Sequence, residues 1–157
     1  MSGTPGPKQA VARYYDRNTR WFLRLGASSG LLAIHRGLWR PGVTSADEAA
    51  DQVHQLIAET LALRGRPAPR RLLDLGCGVG GSVLRLLARY PEADAVGVSL
   101  SRLQIHEARK QAGRAGVGQR ARFVEADFEH LDLGERFDLV IAIEALAHAG
   151  DLQAVLH

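Results

Sequence analysis

The chain has 157 residues, which is the size of one domain. Hydrophobic residues make up 46% and charged residues 24% of the sequence, a composition that favours a globular core and excludes a disordered chain. The net charge is +3, but the basic residues are spread along the sequence, so we expect a mixed-sign surface and no nucleic-acid partner.

The cysteine count and the hydropathy of the sequence indicate the cellular compartment in which the protein works. Cys77 is the single cysteine, so no internal disulfide can form, and this fits a reducing compartment. No run approaches the ~20 apolar residues of a membrane helix, and the first ten residues lack the apolar core of a signal peptide. No Cys/His cluster suggests a metal. We therefore expect a cytoplasmic protein with no membrane span and no metal; its oligomeric state is not predicted.

The first 66 residues predict a tail and two helices. Residues 2–7 are rich in glycine and proline, and a helical pattern follows over residues 8–25. Ser45 and Glu48 have the spacing of a capping box, and the apolar stripe after them ends at the proline-rich residues 64–69. We therefore divide the chain into an N-terminal helical segment, residues 1–66, and a main domain, residues 67–157.

The main domain alternates between strand and helix patterns. Predicted strands cover Arg71–Leu75, Ala93–Val98, Arg122–Glu125 and Phe137–Ile143, and predicted helices cover Gly80–Tyr90 and Ser101–Ala115. This alternation predicts an α/β fold with a doubly wound, Rossmann-like parallel sheet of about four strands and helices on both faces. The sequence ends inside a further predicted helix, so we expect a C-terminally truncated domain.

A glycine loop follows the first predicted strand. Gly76 and Gly78 open the next helix, whose N-terminus attracts a carboxylate or phosphate. With Gly81 they match the dinucleotide spacing, and Ser99 beside Arg102 could accept the 2′-phosphate of NADP. Asp74 argues against this alternative, because a strand carboxylate repels a pyrophosphate.

Residues 71–147 resemble class I S-adenosylmethionine-dependent methyltransferases. Residues 73–80, Leu-Asp-Leu-Gly-Cys-Gly-Val-Gly, look like the first motif of that family almost residue for residue. The resemblance implies that S-adenosylmethionine is the cofactor and that its methionine end is held by Asp74, Gly76, Cys77 and Gly78. Asp74 tolerates the ammonium and sulfonium of this cofactor, and Cys77 is there a small loop residue.

Residues 97–104, Gly-Val-Ser-Leu-Ser-Arg-Leu-Gln, follow the second predicted strand. They are similar to the same stretch in a subset of that family, the tocopherol-, sterol- and cyclopropane-fatty-acid-type enzymes. In this subset a hydroxyl residue and a glutamine lie near the ribose, which implies Ser99 and Gln104 here. The acidic residue that often binds the ribose is missing. Gln104 has an alternative role, since with Ser101 it also has capping-box spacing.

The resemblance also implies an adenine site after the third strand. Asp127 would accept a hydrogen bond from the adenine amino group, and Ala126 would donate one from its backbone. Asp127 could instead cap a turn. Phe128 would pack on the adenine or on the core.

The acceptor side of the site is expected after the fourth strand. Residues 137–144 resemble the fourth-strand motif of the family, which implies that Asp138 is structural and that Glu144 lies near the reacting centre, where it could stabilise a cation or relay a proton. Alternatively, Glu144 is a helix N-terminal acid. His148 could share the face of Glu144 or simply be a surface histidine.

In several similar enzymes N-terminal helices form a lid over the cofactor. By that resemblance, we expect Tyr15, His35 and Trp39 to belong to a lid, with Tyr15 near the reacting atoms. Trp21 and Phe22 are expected to pack on the sheet.

The sequence thus predicts an enzyme that methylates a small, apolar-leaning acceptor of the lipid or terpenoid kind. Two alternatives stay open at this point. One is an NADP-dependent oxidoreductase, and the other is a non-catalytic S-adenosylmethionine-binding fragment.

Overall fold

The computed structural model describes residues 7–26 and 36–156, and it describes side chains for residues 8–19 and 36–156. The helices are α1 (Pro7–Gly26), α2 (Ala46–Leu63), α3 (Gly81–Arg89), α4 (Arg102–Arg114) and α5 (Leu152–Leu156). The strands are β1 (Arg71–Leu75), β2 (Asp94–Ser99), β3 (Ala121–Glu125) and β4 (Leu139–Ile141). The predictions for His35 and for the side chains of Trp21 and Phe22 lie outside the described residues.

Helix α2 begins where the sequence predicts. The Ser45 side chain accepts a hydrogen bond from Glu48 N, and the Glu48 carboxylate accepts one from Ser45 N, so the capping box is present. Arg85 on α3 forms ion pairs with Asp47 and, at 3.3 Å, with Asp51. These ion pairs hold the N-terminal half of α2 against the main domain.

The described strands form one parallel sheet in the order β3-β2-β1-β4. From β1 the chain moves outward to β2 and β3, and it then returns to the other side of β1 to form β4. The direction of winding therefore reverses between β1 and β4, which is where open α/β sheets bind ligands. This arrangement confirms the predicted doubly wound, Rossmann-like fold.

The two faces of the sheet are covered differently. Helices α3 and α4 pack on one face, and their core includes Leu72, Val83, Leu86, Ile105, Phe123 and Ile141. Leu73, Leu75, Val96 and Val98 form the other face, which the connection at residues 126–137 and Val155 of α5 cover. A full helical layer was expected there; in the described chain the connection has a single helical turn, Phe128–His130, and α5 has five residues.

Strand β4 is shorter than predicted. The Asp138 carboxylate accepts hydrogen bonds from the backbone N–H groups of Arg70 and Arg71, both at 2.9 Å, and so fixes the start of β4 beside β1. This structural role of Asp138 agrees with the sequence analysis. None of the helices in the described ranges has both the length and the apolar character needed to cross a membrane.

Candidate functional site

A cavity of about 140 Å³ opens at the carboxyl ends of β1 and β4, at the point where the winding reverses. The loop after β1, the end of β2, the segment after β4 and helix α1 all contribute to it. Its lining is Val11, Tyr15, Asp74, Gly76, Cys77, Gly78, Val79, Gly81, Ser82, Ser99, Leu100, Gln104, Phe128, Ile143, Glu144, Ala145 and His148. Every predicted site residue except Ala126 and Asp127 therefore lines one cavity.

The loop between β1 and α3 has backbone angles that favour glycine. The φ angle is +78° at Gly76, +55° at Gly78 and +87° at Gly80. A side chain at Gly76 would meet the Cβ of Ala145, whereas open space faces Gly78. Gly80 is the N-cap of α3 and has no side chain to cap it, which leaves N–H groups of the first turn to a ligand. The loop is thus a backbone cradle suited to a carboxylate.

Cys77 is buried within this loop, with 7% of its surface exposed. Burial, reinforced by the charge of Asp74, raises the pKa of the Cys77 thiol well above its usual value. The backbone N–H groups of Gly76 and Cys77 both donate to the Val98 carbonyl at 2.9 Å, which ties the loop to the end of β2. The thiol is therefore a small packing group and not an activated nucleophile.

Asp74 is a buried carboxylate, only 4% exposed, at the edge of the cavity. Burial raises its pKa to about 7. One of its oxygens, Oδ2, has no hydrogen-bond partner among the described residues. A buried, unpaired acceptor is costly, and a cationic ligand group would relieve that cost. Together with the cradle for a carboxylate, Asp74 fits the amino-acid end of S-adenosylmethionine.

Ser99 and Gln104 form a buried hydrogen-bonded pair at the end of β2. The Ser99 hydroxyl donates to Gln104 Oε1 at 2.8 Å, and both residues line the cavity. Ser101 Oγ accepts from Gln104 N, which confirms Ser101 as the N-cap of α4. The Gln104 side chain bonds to Ser99 rather than back to the Ser101 backbone. This arrangement favours a ligand-facing role for Gln104 over the capping-box alternative.

The residues expected at the adenine are already engaged in the structure. The backbone N–H of Ala126 donates to the Ser99 carbonyl at 3.1 Å, because the pairing of β2 with β3 continues past the strand end. Asp127 Oδ1 accepts from Glu129 N at 3.1 Å, and Oδ2 forms an ion pair with Lys8 of α1. The turn-capping alternative for Asp127 is therefore realised. An adenine amino group would have to compete with Lys8 for Oδ2.

Lys8 offsets the negative charges of Asp127 and Glu129. Its Nζ forms an ion pair with Asp127 and lies 2.8 Å from Glu129 Oε2. Burial alone would raise the pKa of Asp127, but the hydrogen bonds from Lys8 and from Glu129 N outweigh burial and lower it. The same two carboxylates raise the pKa of Lys8. All three groups are consequently charged at neutral pH.

Glu144 follows β4 and has a strained backbone. It is the one residue other than glycine with positive φ, at +55°, in the described ranges. Its carboxylate accepts a hydrogen bond from Arg36 N at 3.2 Å, and it lines the cavity. The helical turn that follows has Ala145 as its N-cap, with no side-chain cap, which disfavours the alternative that Glu144 serves a helix N-terminus.

Tyr15 of α1 reaches His148 across the cavity. The Tyr15 hydroxyl lies 2.9 Å from His148 Nε2, and the rings meet edge to face with centroids 5.7 Å apart. Burial, together with the charges of Tyr14 and Glu144, raises the pKa of the Tyr15 hydroxyl. His148 is exposed, but it contacts Tyr15 and lines the cavity, which supports a role in the site.

Helix α1 contributes more to the site than the sequence analysis found. Lys8 and Asp16 were missed, although Lys8 pairs with Asp127 and the Asp16 carboxylate accepts from the Ser101 hydroxyl. These partners lie 119 and 85 residues apart, so no local spacing could indicate them. The Lys8 and Asp16 contacts put α1 over the predicted cofactor side of the cavity.

The lid prediction for Trp39 is wrong. Its side chain is 62% exposed and does not line the cavity. Leu38 N donates to the Ala49 carbonyl at 2.7 Å, and Gly37 packs so closely on Ala49 that a Cβ at Gly37 would lie 2.6 Å from the Ala49 Cβ. This attachment to α2 leaves the neighbouring Trp39 facing outward.

Known proteins resemble this chain in sequence and in fold. The sterol 24-C-methyltransferase of Neurospora crassa is 34% identical in an alignment of 157 positions that covers 97% of this chain and 40% of that protein. The 27-O-demethylrifamycin SV methyltransferase of Amycolatopsis mediterranei is 34% identical over 119 residues, 75% of this chain and 42% of that protein. The chain thus spans less than half the length of these two relatives.

A solved structure is also similar. The crystal structure of the [4+2]-cyclase SpnF superposes with a TM-score of 0.71 and 32% identity, over 88% of this chain and 50% of that chain. The likeness extends beyond the sheet, because the matched part includes most of the described residues.

The family model described as a methyltransferase domain matches residues 72–157, more than half of the chain. This match confirms the resemblance that the glycine-loop motif indicated, and it makes the NADP-dependent oxidoreductase alternative wrong. It also confirms S-adenosylmethionine as the cofactor of the family. The chain belongs to the methyltransferase domain family.

Proposed function

We propose that the chain forms the cofactor-binding part of an enzyme that transfers a methyl group from S-adenosylmethionine to a small organic acceptor. The observation that carries this proposal is Asp74, a buried carboxylate with an unpaired oxygen beside a glycine cradle. A carboxylate that attracts a cation, next to a loop that binds a carboxylate, suits a ligand with both an ammonium and a carboxylate group, such as the methionine end of the cofactor. A pyrophosphate does not fit beside a buried acid.

The methionine end of the cofactor would be held by Asp74, Gly76, Cys77 and Gly78. Asp74 would attract the ammonium group, and the N-terminal N–H groups of α3 would bind the carboxylate. Gly78 would let the ligand approach the backbone, since nothing lies within 4 Å of the position of its missing Cβ. When bound, S-adenosylmethionine supplies an activated methyl group, so the protein mainly binds and aligns.

The nucleoside end would be held by the residues after β2 and β3. Ser99 and Gln104 are assigned to the ribose hydroxyls, and their buried, mutually bonded side chains support this role. Asp127 and Phe128 are assigned to the adenine, whereas the backbone N–H of Ala126 is used by the Ser99 carbonyl and does not donate to an adenine as expected. Phe128 lines the cavity, whereas Asp127 would reach the adenine only by sharing or releasing Lys8.

The acceptor side has Glu144, Tyr15 and His148 as candidate catalytic residues. The hydrogen bond between Tyr15 and His148 allows a proton to pass between phenol and imidazole, so the pair could take a proton from an acceptor. The Glu144 carboxylate would stabilise positive charge on the acceptor. Apolar lining residues, among them Val11 and Ile143, support an apolar-leaning acceptor of the lipid or terpenoid kind.

A reaction other than methyl transfer is the second candidate. It is favoured by the similarity to a solved protein described as a [4+2]-cyclase, which shows that the fold is not restricted to one reaction. Methyl transfer is therefore to be measured directly, as formation of S-adenosylhomocysteine with a panel of sterol, terpenoid and phenolic acceptors. We further propose a cytoplasmic location, since a sequence with one cysteine and no internal disulfide fits a reducing compartment.

Calorimetry tests the cofactor assignment. We expect S-adenosylhomocysteine to bind and NADPH not to bind, and Asp127→Ala to weaken S-adenosylhomocysteine binding by about 1–3 kcal/mol. Asp132→Ala is the matched control, because Asp132 accepts a hydrogen bond from Gly134 N, just as Asp127 does from Glu129 N, and lies outside the proposed adenine site. Binding of NADPH in place of S-adenosylhomocysteine would refute the proposal.

A second ligand isolates the adenine contact of Asp127. S-inosylhomocysteine has an oxo group where S-adenosylhomocysteine has the amino group, so it lacks the amino donor that is assigned to Asp127. If Asp127 only anchors Lys8, Asp127→Ala changes the affinity for both ligands equally. A loss confined to the adenosyl ligand supports the assignment.

A further inference from the structure

Asp16 lies on α1 at the N-terminus of α4. Its Oδ1 accepts a hydrogen bond from the Ser101 hydroxyl and a longer one, at 3.4 Å, from Leu103 N. Ser101 is 1% exposed, whereas Asp16 lies at the surface, so this contact is half-buried. A carboxylate also complements the partial positive charge of a helix N-terminus. Asp16 is not among the residues that line the cavity.

The contact continues inward through a chain of hydrogen bonds. Ser101 Oγ accepts from Gln104 N at 3.2 Å, and Ser101 N donates to Ser99 Oγ at 3.1 Å. Ser99 Oγ in turn donates to Gln104 Oε1 at 2.8 Å. Because the Ser101 hydroxyl has a single proton and gives it to Asp16, Asp16 fixes the orientation of that hydroxyl. Helix α1 is thus joined by contiguous hydrogen bonds to the two cavity-lining residues.

We propose that Asp16 is a positioning residue that couples the docking of α1 to the shape of the ribose subsite formed by Ser99 and Gln104. This inference rests on the proposed function, in which those two residues bind the nucleoside. Coupling between two events is reciprocal. If docked α1 prepares the ribose subsite, a bound nucleoside must in turn stabilise docked α1.

Two further contacts anchor α1 at the edges of the same cavity. Lys8 pairs with Asp127 and Glu129 after β3, and Tyr15 bonds to His148 after β4. The Lys8 contact with Asp127 is half-buried, as is that of Asp16 with Ser101, and the Tyr15 contact with His148 is exposed. The contact of Asp16 with Ser101 is the one that leads into a buried network, so it is the one expected to transmit coupling.

The test compares Asp16→Ala, Asp16→Asn and, as a matched control, Arg17→Ala, which changes the neighbouring exposed residue of α1. Calorimetry gives the Kd of S-adenosylhomocysteine, and hydrogen exchange gives the protection of residues 8–19 with and without it. We expect Asp16→Ala to weaken binding about 10-fold and to abolish the ligand-induced protection of α1. Asp16→Asn should restore most of both, because its side-chain oxygen can accept the same bonds.

A purely structural role for Asp16 predicts a different result. Asp16→Ala would then lower the Tm of the ligand-free protein but leave the Kd and the ligand-induced protection unchanged, and that outcome overturns the proposal. If Asp16→Ala does not fold, Ser101→Gly replaces it, since glycine is tolerated at an N-cap and lacks the linking hydroxyl. If the wild-type protein fails to bind S-adenosylhomocysteine, the proposed function itself is refuted. If the wild-type protein and Asp16→Ala bind it equally well, only the coupling is refuted.

Discussion

Replacing Asp74 with asparagine removes a buried charge and nearly preserves the shape of the side chain. Burial raises the pKa of Asp74 to about 7, against an ordinary value of 3.8. The folded protein therefore holds this proton more tightly than the unfolded chain does. As a result, the contribution of Asp74 to the free energy of unfolding of the ligand-free protein should fall as the pH rises from about 4 to about 7, and this contribution should stay constant above that range.

The size of the effect follows from the two pKa values. Their difference corresponds to about 4 kcal/mol, at about 1.36 kcal/mol for each tenfold change in proton affinity. For a chain of this length, that is roughly 8–16 °C in Tm. Relative to wild type, Asp74→Asn should gain this stability between pH 4 and pH 8. Carboxylates with lowered pKa, such as Asp138, act in the opposite direction, but they are common to both proteins and cancel in the comparison.

The assay is thermal unfolding of wild type and Asp74→Asn at several pH values, with Asp132→Asn as an exposed control. The wild-type minus Asp74→Asn difference should change with pH, and the difference for the control should not. S-adenosylhomocysteine should raise the Tm of wild type more at pH 8 than at pH 5, because its ammonium group is attracted by ionised Asp74. A wild-type minus Asp74→Asn difference that is independent of pH would show that Asp74 is ionised and satisfied in the fold.

Two other positions give sharp expectations. Gly78→Ala and Gly134→Ala both introduce a Cβ at a residue with positive φ, in open space. Each should lower the free energy of unfolding by about 1 kcal/mol. Only Gly78→Ala should lose S-adenosylhomocysteine binding, as measured by calorimetry. Equal binding by both variants would exclude a ligand at the loop. The backbone N–H groups of Arg70 and Arg71 lower the pKa of Asp138, so the Tm advantage of wild type over Asp138→Asn should be present at pH 6 and vanish as the pH falls below 3.8. An advantage that persists at low pH would mean that the carboxylate charge is not involved.

Local sequence determined the parts of the fold that depend on nearby residues. Ser45 with Glu48 predicted the start of α2, and the strand–glycine–helix pattern from Arg71 to Gly81 predicted the loop, because capping and left-handed backbone angles act over a few residues. The alternation of strands and helices predicted the parallel sheet, since parallel neighbours need crossover connections. It did not predict the extended connection at residues 126–137, where packing on the sheet replaced a helix.

Tertiary structure alone decided how the site is closed and which of its charges are paired. Tyr15 and His148 are 133 residues apart, and Asp16 and Ser101 are 85 apart. No periodicity or motif spacing reports such contacts, because they depend on where an entire helix docks. The same reason applies to Asp74, whose identity was visible in the sequence but whose unpaired, buried oxygen was not. Burial and pairing are properties of the packed chain, and they set the free energy of a charge far more than its residue type does.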